Sequence, residues 1–107
     1  MLSKTFQRYV QKAKAFCDAK TYTIEYLTLG LVEEAGEIAG KVKRTLRGDY
    51  PELPREKLIL ELGDLLWYFV LILDFLGVNI EQVMERNLNK LNERKQRNLI
   101  QGEGDER

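Results

Sequence analysis

Glu33, Glu34 and Glu37 fall within the five-residue stretch EEAGE, and Glu61 and Asp64 stand three apart in ELGD. Carboxylates at i and i+3 share a helix face, so each stretch offers a pair of oxygen donors pointing one way. Hard divalent cations take such ligands, and magnesium usually keeps waters and substrate phosphates in its remaining positions. The chain has no histidine and one cysteine, Cys17. Histidine-activated nucleophiles and the common His/Cys zinc sites are therefore excluded. A metal here must be held by oxygen, which favours magnesium, calcium or manganese.

The five acids are not equivalent. At about 100° per residue, Glu34 falls about 20° from Leu27 and about 40° from Ile38, at the edge of the apolar stripe Leu27, Leu31, Ala35, Ile38, Val42 and Leu46. Glu37 lies next to it one turn on, and Glu33 points roughly opposite the stripe, toward solvent or a position behind the metal ligands. Glu34 and Glu37 are thus the inward pair. Glu61 and Asp64 interrupt LILELGDLLWYFVLILDFL, which is apolar nearly all the way round and predicts burial on most sides, with Tyr68 following on the acids' own face. An unpartnered buried carboxylate costs on the order of several kcal/mol, and two of them about 5–6 Å apart repel. Something positive must compensate. A solvated face paired to lysine at i+4 accounts for many acid runs, and Glu37 has Lys41 at that spacing. Glu61 and Asp64 have Leu65 and Tyr68 there instead, which leaves a cation from another helix, such as Arg44 or Arg55, or a metal. Four carboxylates, Glu34, Glu37, Glu61 and Asp64, converge if the two helices lie antiparallel.

A third set is basic and amide-bearing. Asn87 falls in the middle of the stripe Ile80, Met84, Leu91, with Lys90 and Arg94 along its flank. Two readings stand: a core-edge asparagine with two basic side chains snorkelling outward, or an amide and two cations placed for a polyphosphate.

The elements that must position these residues are helical almost throughout. Leu2, Phe6, Tyr9, Val10, Ala13, Phe16 and Cys17 recur at three- and four-residue spacing and predict one amphipathic helix. DAKTYTIEY loosens that pattern and holds a turn. The EEAGE helix ends at RGDYPELPRE, where Gly48, Pro51 and Pro54 form a stop signal and loop. A third helix runs from about Arg55 to Leu76 and ends at GVN. Asn79 with Gln82 makes a capping box for a fourth, which carries on to roughly Asn98. No repeat and no strand-like alternation appears. The expectation is an all-α bundle of about four helices, one domain over residues 1–107 with a polar tail at 101–107.

Composition bounds the partners. The 107 residues include 17 Lys plus Arg and 17 Asp plus Glu, so no net field draws the chain to nucleic acid or an anionic membrane. The N-terminus lacks a signal-peptide core, and LLWYFVLIL at 65–73 is about half the length of a membrane span. With a single cysteine, the expected setting is the reducing cytoplasm.

GLVEEAGEIAGKV, ELGDLLWYFVLIL and GVNIEQVMERNLNKLNERK together resemble the MazG-like nucleotide pyrophosphohydrolases of the all-α NTP pyrophosphatase group. The likeness covers about residues 25–107, and the ending QGEGDER resembles the Gly–Asp–Arg ending of small members. That group's EExxE and ExxD patterns stand here as Glu33-Glu34-x-x-Glu37 and Glu61-x-x-Asp64, followed by Asn87-x-x-Lys90. The resemblance implies hydrolysis of (deoxy)nucleoside triphosphates to monophosphate and pyrophosphate, with a house-cleaning role in the nucleotide pool. It implies magnesium, with manganese a possible substitute, on Glu34, Glu37, Glu61 and Asp64. The charges make Glu33 or Glu37, a carboxylate left partly free, the candidate catalytic base, and the resemblance implies that Asn87 and Lys90, with Arg94 added, contact substrate phosphate. It also implies a homo-oligomer, dimer or tetramer, with sites at subunit contacts, which suits a third helix too apolar for a lone small bundle. Two alternatives stay open. One keeps the fold with a phosphoribosyl-ATP pyrophosphatase-like or dUTPase-like substrate, though the short length and single acid set speak against the larger dUTPase form. The other is a non-enzymatic helical oligomerisation module with salt-bridged acids.

Overall fold

The computed structural model describes residues 4–97. They form α1 (Lys4–Lys14), α2 (Ile24–Arg47), α3 (Arg55–Leu76) and α4 (Ile80–Gln96), with a short 3₁₀ turn at Ala19–Thr21 and no strand. Leu2, Asn98 and the 101–107 tail, named above, lie outside the described residues.

Local chemistry sets the boundaries. Thr23 is extended and its Oγ1 accepts the Tyr26 N–H at 3.2 Å, satisfying one of the free donors that open α2. Gly48 closes α2 at φ 97° and Gly77 closes α3 at φ 73°, left-handed conformations that glycine adopts without a Cβ clash. The Val78 N–H then returns to the Leu73 carbonyl at 3.0 Å. At α4 the capping box is complete: the Gln82 N–H donates to Asn79 Oδ1, and the Asn79 N–H donates to Gln82 Oε1, both at 2.9 Å.

The 48–54 loop folds α2 and α3 into an antiparallel hairpin. Its register shows in three contacts: Lys41 meets Glu61, Glu34 meets Glu61 and Asp64, and Gly30 meets Tyr68. As the number rises on one helix it falls on the other. Leu27 on α2 and Val70 and Leu71 on α3 are the fully buried large side chains, each worth about 1.5–3 kcal/mol of burial. α1 is fixed to the far half of α3, where Trp67 Nε1–H donates to the carbonyl of buried Ala13 at 3.0 Å. Below it, Lys14 pairs with Asp74 at 3.1 Å, and the Tyr22 hydroxyl also bonds Asp74 while its ring packs on Phe75. α4 touches the other helices only slightly.

Three expectations change. α1 stops at Lys14, so Phe16 leaves the stripe and stands exposed in the turn that follows. α3 is not buried on most sides: Ile59, Leu60 and Leu62 are exposed, because α2 is the one helix packed extensively against it among the described residues. The α4 stripe is only partly covered: Ile80 and Leu91 are half-buried, whereas Met84, Asn87 and the neighbouring Leu88 are exposed. No helix among the described residues is long and apolar enough to cross a membrane.

Candidate metal centre

α2 and α3 bring three carboxylates together. Glu34, Glu61 and Asp64 each offer an oxygen, and these atoms lie within 4.8 Å of one another. The two helices supply them for different reasons. On α2, Leu27, Gly30, Leu31, Glu34, Ile38 and Lys41 form the face turned to α3, so Glu34 is carried inward by the packing of its apolar neighbours. On α3, Glu61 and Asp64 lie one turn apart, Glu61 half-buried and Asp64 exposed.

The electrostatics show what this crowding costs. The Glu34 carboxyl is pushed up to about 7, first by burial, then by its hydrogen bond with Glu61 and by the charges of Asp64, Glu61 and Glu33. Without a divalent ion, a large share of the Glu34 carboxyls keeps its proton at neutral pH. A divalent ion removes that conflict. Three convergent carboxylate oxygens are a hard, all-oxygen donor set, so the residues fit magnesium or manganese.

One protein cation already reaches the trio. Lys41 Nζ lies 3.3 Å from Glu61 Oε1, with both side chains largely buried. The cation from another helix is thus Lys41 rather than Arg44 or Arg55. Arg44 folds back over Gly40, and Arg55 pairs with its neighbour Glu56. Sequence spacing pairs Lys41 with Glu37. Yet Lys41 is two turns from Glu34, about 20° away around the helix, and so faces α3.

Two tyrosines frame the group. Tyr9 on α1 is held above its ordinary value by burial and by the charge of Asp64. Tyr68, raised by burial and by Tyr26, Glu34 and Glu33, hydrogen-bonds Tyr26 and packs edge-on against Trp67 at 4.9 Å. Gly30 makes room for its ring: a Cβ there would come within 2.2 Å of Tyr68 Cε1. Tyr9 looked like a core residue in the sequence, and only the docking of α1 places it beside Asp64.

The remaining acids and the basic set lie outside the three-oxygen cluster. Glu33 and Glu37 are exposed on the flank of α2. Asn87 and Lys90 share a shallow hollow on α4 with Val83 and Arg86, whereas Arg94 is buried at 4% exposure rather than snorkelling outward.

The family model for the MazG nucleotide pyrophosphohydrolase domain matches residues 22–98. Gene 37 protein of Mycobacterium phage L5 is 49% identical over 87 residues, covering 78% of this chain and 76% of that protein. Its name states no activity. No solved structure matches the chain.

Proposed function

The chain belongs to the MazG nucleotide pyrophosphohydrolase family, and on that premise we propose that it hydrolyses (deoxy)nucleoside triphosphates to monophosphate and pyrophosphate with magnesium, clearing unwanted nucleotides from a cytoplasmic pool as a single 1–107 domain. The observation that carries this reading is the trio Glu34, Glu61 and Asp64, whose crowding pushes the Glu34 carboxyl up to about 7 and which a divalent cation would relieve. Glu37, one turn from Glu34, is the fourth carboxylate of the motif. A bound magnesium ion, with manganese able to replace it, would neutralise polyphosphate charge and acidify a water. Water adds across the α–β anhydride, and its proton passes to Glu33 or Glu37, the exposed carboxylates beside the trio. Asn87, Lys90 and Arg94 supply donors and positive charge for the phosphates, steadying the charge that builds on the leaving pyrophosphate.

The test is a panel of standard and modified (deoxy)nucleoside triphosphates with magnesium, scored for pyrophosphate against orthophosphate. Pyrophosphate with a monophosphate is the expected product pair. Orthophosphate as the primary product, with a diphosphate, overturns the reaction class, and no turnover of any nucleotide returns the field to a helical interaction module.

The same proposal includes a homo-oligomer. Among the described residues, Leu29, Val32, Gly36 and Ala39 form a small and apolar face of α2, roughly opposite the one packed on α3, and all four are exposed; Leu46, expected in the inward stripe, is exposed at the helix end as well. Leu29 and Val32 are 71% and 64% exposed, more than a lone soluble chain needs to show. A second copy covers this face. Leu29→Glu and Val32→Glu leave the hairpin core untouched, so they should halve the mass seen by sedimentation while circular dichroism stays helical. An unchanged mass would remove this face from the interface.

A further inference from the structure

Lys41 has no role in the reading above, yet it sits at the centre of the site's charge balance. Its ammonium pairs with Glu61 at 3.3 Å, and the side chains of the pair are only 13% and 21% exposed. Glu61 is also the member of the trio that hydrogen-bonds Glu34. One carboxylate therefore serves two masters: a cation on one side and the other two acids on the other. A divalent ion held by the trio would draw on the same Glu61 carboxylate that now pairs with Lys41. Two cations competing for one carboxylate weaken each other's hold. Lysine suits exchange better than arginine would, being a compact charge on a flexible four-carbon stem with no fork to lock it. Once released it is a free ammonium at the edge of the trio, where the phosphates of a metal-bound nucleotide must lie.

Resting on the proposed metal and nucleotide site, we propose that Lys41 is an exchangeable counter-ion: it occupies Glu61 in the metal-free protein and passes to a phosphate oxygen when metal and nucleotide arrive. The exchange couples the two ligands. Metal alone must displace Lys41 without compensation and binds weakly. Nucleotide gives the displaced ammonium a new anion, so each ligand strengthens the other.

The test is calorimetric titration of manganese into wild type, Lys41→Met and Lys41→Arg. A second titration adds α,β-imido-dATP, which cannot be cleaved between those phosphates, to manganese-saturated protein. Methionine keeps the length and apolar stem of lysine, and circular dichroism checks that the hairpin persists. Lys41→Met should bind manganese about fivefold more tightly, the scale of a modest ion pair. It should bind the nucleotide about tenfold more weakly, the scale of a lost charged phosphate contact. Lys41→Arg retains the charge but holds Glu61 with a fork, so it should bind manganese several-fold more weakly than wild type, which keeps the exchange measurable if Lys41→Met does not fold. Manganese affinity equal to or tighter than wild type in Lys41→Arg counts against the exchange. Manganese affinity that is unchanged or weaker in Lys41→Met, or nucleotide affinity that is unchanged, overturns the exchange and leaves the metal site standing. Failure of wild type to bind manganese overturns both.

Discussion

Asp64→Asn and Glu61→Gln are each expected to lower turnover by at least about a hundredfold with magnesium present. Both substitutions keep side-chain volume and helix propensity close to the original, so neither should unfold the α2–α3 hairpin. What each removes is one anionic oxygen from a group whose three contributing atoms lie within 4.8 Å. Asp64→Asn is the cleaner probe, because Glu61→Gln also breaks the pair with Lys41. In metal-free protein Asp64→Asn should even raise thermal stability slightly at pH 8, since Asp64 is one of the charges crowding Glu34. Loss of activity with retained or improved stability is the signature of a site built for a ligand. Near-normal turnover in either variant would sink the assignment.

Glu34→Gln is expected to change how stability depends on pH. The Glu34 carboxyl stands at about 7 in the fold against 4.5 for an unperturbed group, so the folded chain holds its proton more tightly than the unfolded chain. That contribution is fully present below about pH 4.5 and is lost as pH rises through about 7. Wild type in chelator should therefore melt lower at pH 8 than at pH 5.5, by at least about 4 °C for a domain this small. Glutamine cannot ionise, so Glu34→Gln should flatten that slope. Magnesium should restore the wild-type melting temperature at pH 8 and leave Glu34→Gln little changed. A wild-type melting temperature that is level across this range, or a variant that magnesium stabilises as well as wild type, would contradict the picture of Glu34 as the strained member of a metal-binding trio.

Much of this was legible in the residues, and the gaps share one cause. Helix boundaries rest on local chemistry, so the Gly48 and Gly77 ends and the Asn79–Gln82 box could be placed from sequence alone. The inward face of Glu34 and the shared face of Glu61 and Asp64 follow from a single helix period. What a single helix cannot reveal is what lies across from it. Lys41 was paired with Glu37 by spacing, yet Glu61 is its partner because α3 runs antiparallel beside it. Glu37 sits beside Glu34 on a wheel, but it is exposed, since its angular offset carries it to the flank where α3 no longer reaches. α3 reads as a helix buried all round, and Leu60 and Leu62 are exposed because an apolar residue does not say whether its own chain or another copy will cover it. Tyr9 needed the docking of α1, fixed by Trp67 on the Ala13 carbonyl, to become a neighbour of Asp64.

The central claim is that EEAGE and ELGD each supply part of one divalent-cation site. Electron paramagnetic resonance of manganese titrated into wild type and Asp64→Asn tests it without reference to any substrate. Wild type should deplete the free-manganese signal saturably, with magnesium competing the ion off, and Asp64→Asn should lose most of that binding while keeping its helical circular dichroism. Equal depletion by the two proteins, or none by either, would contradict it.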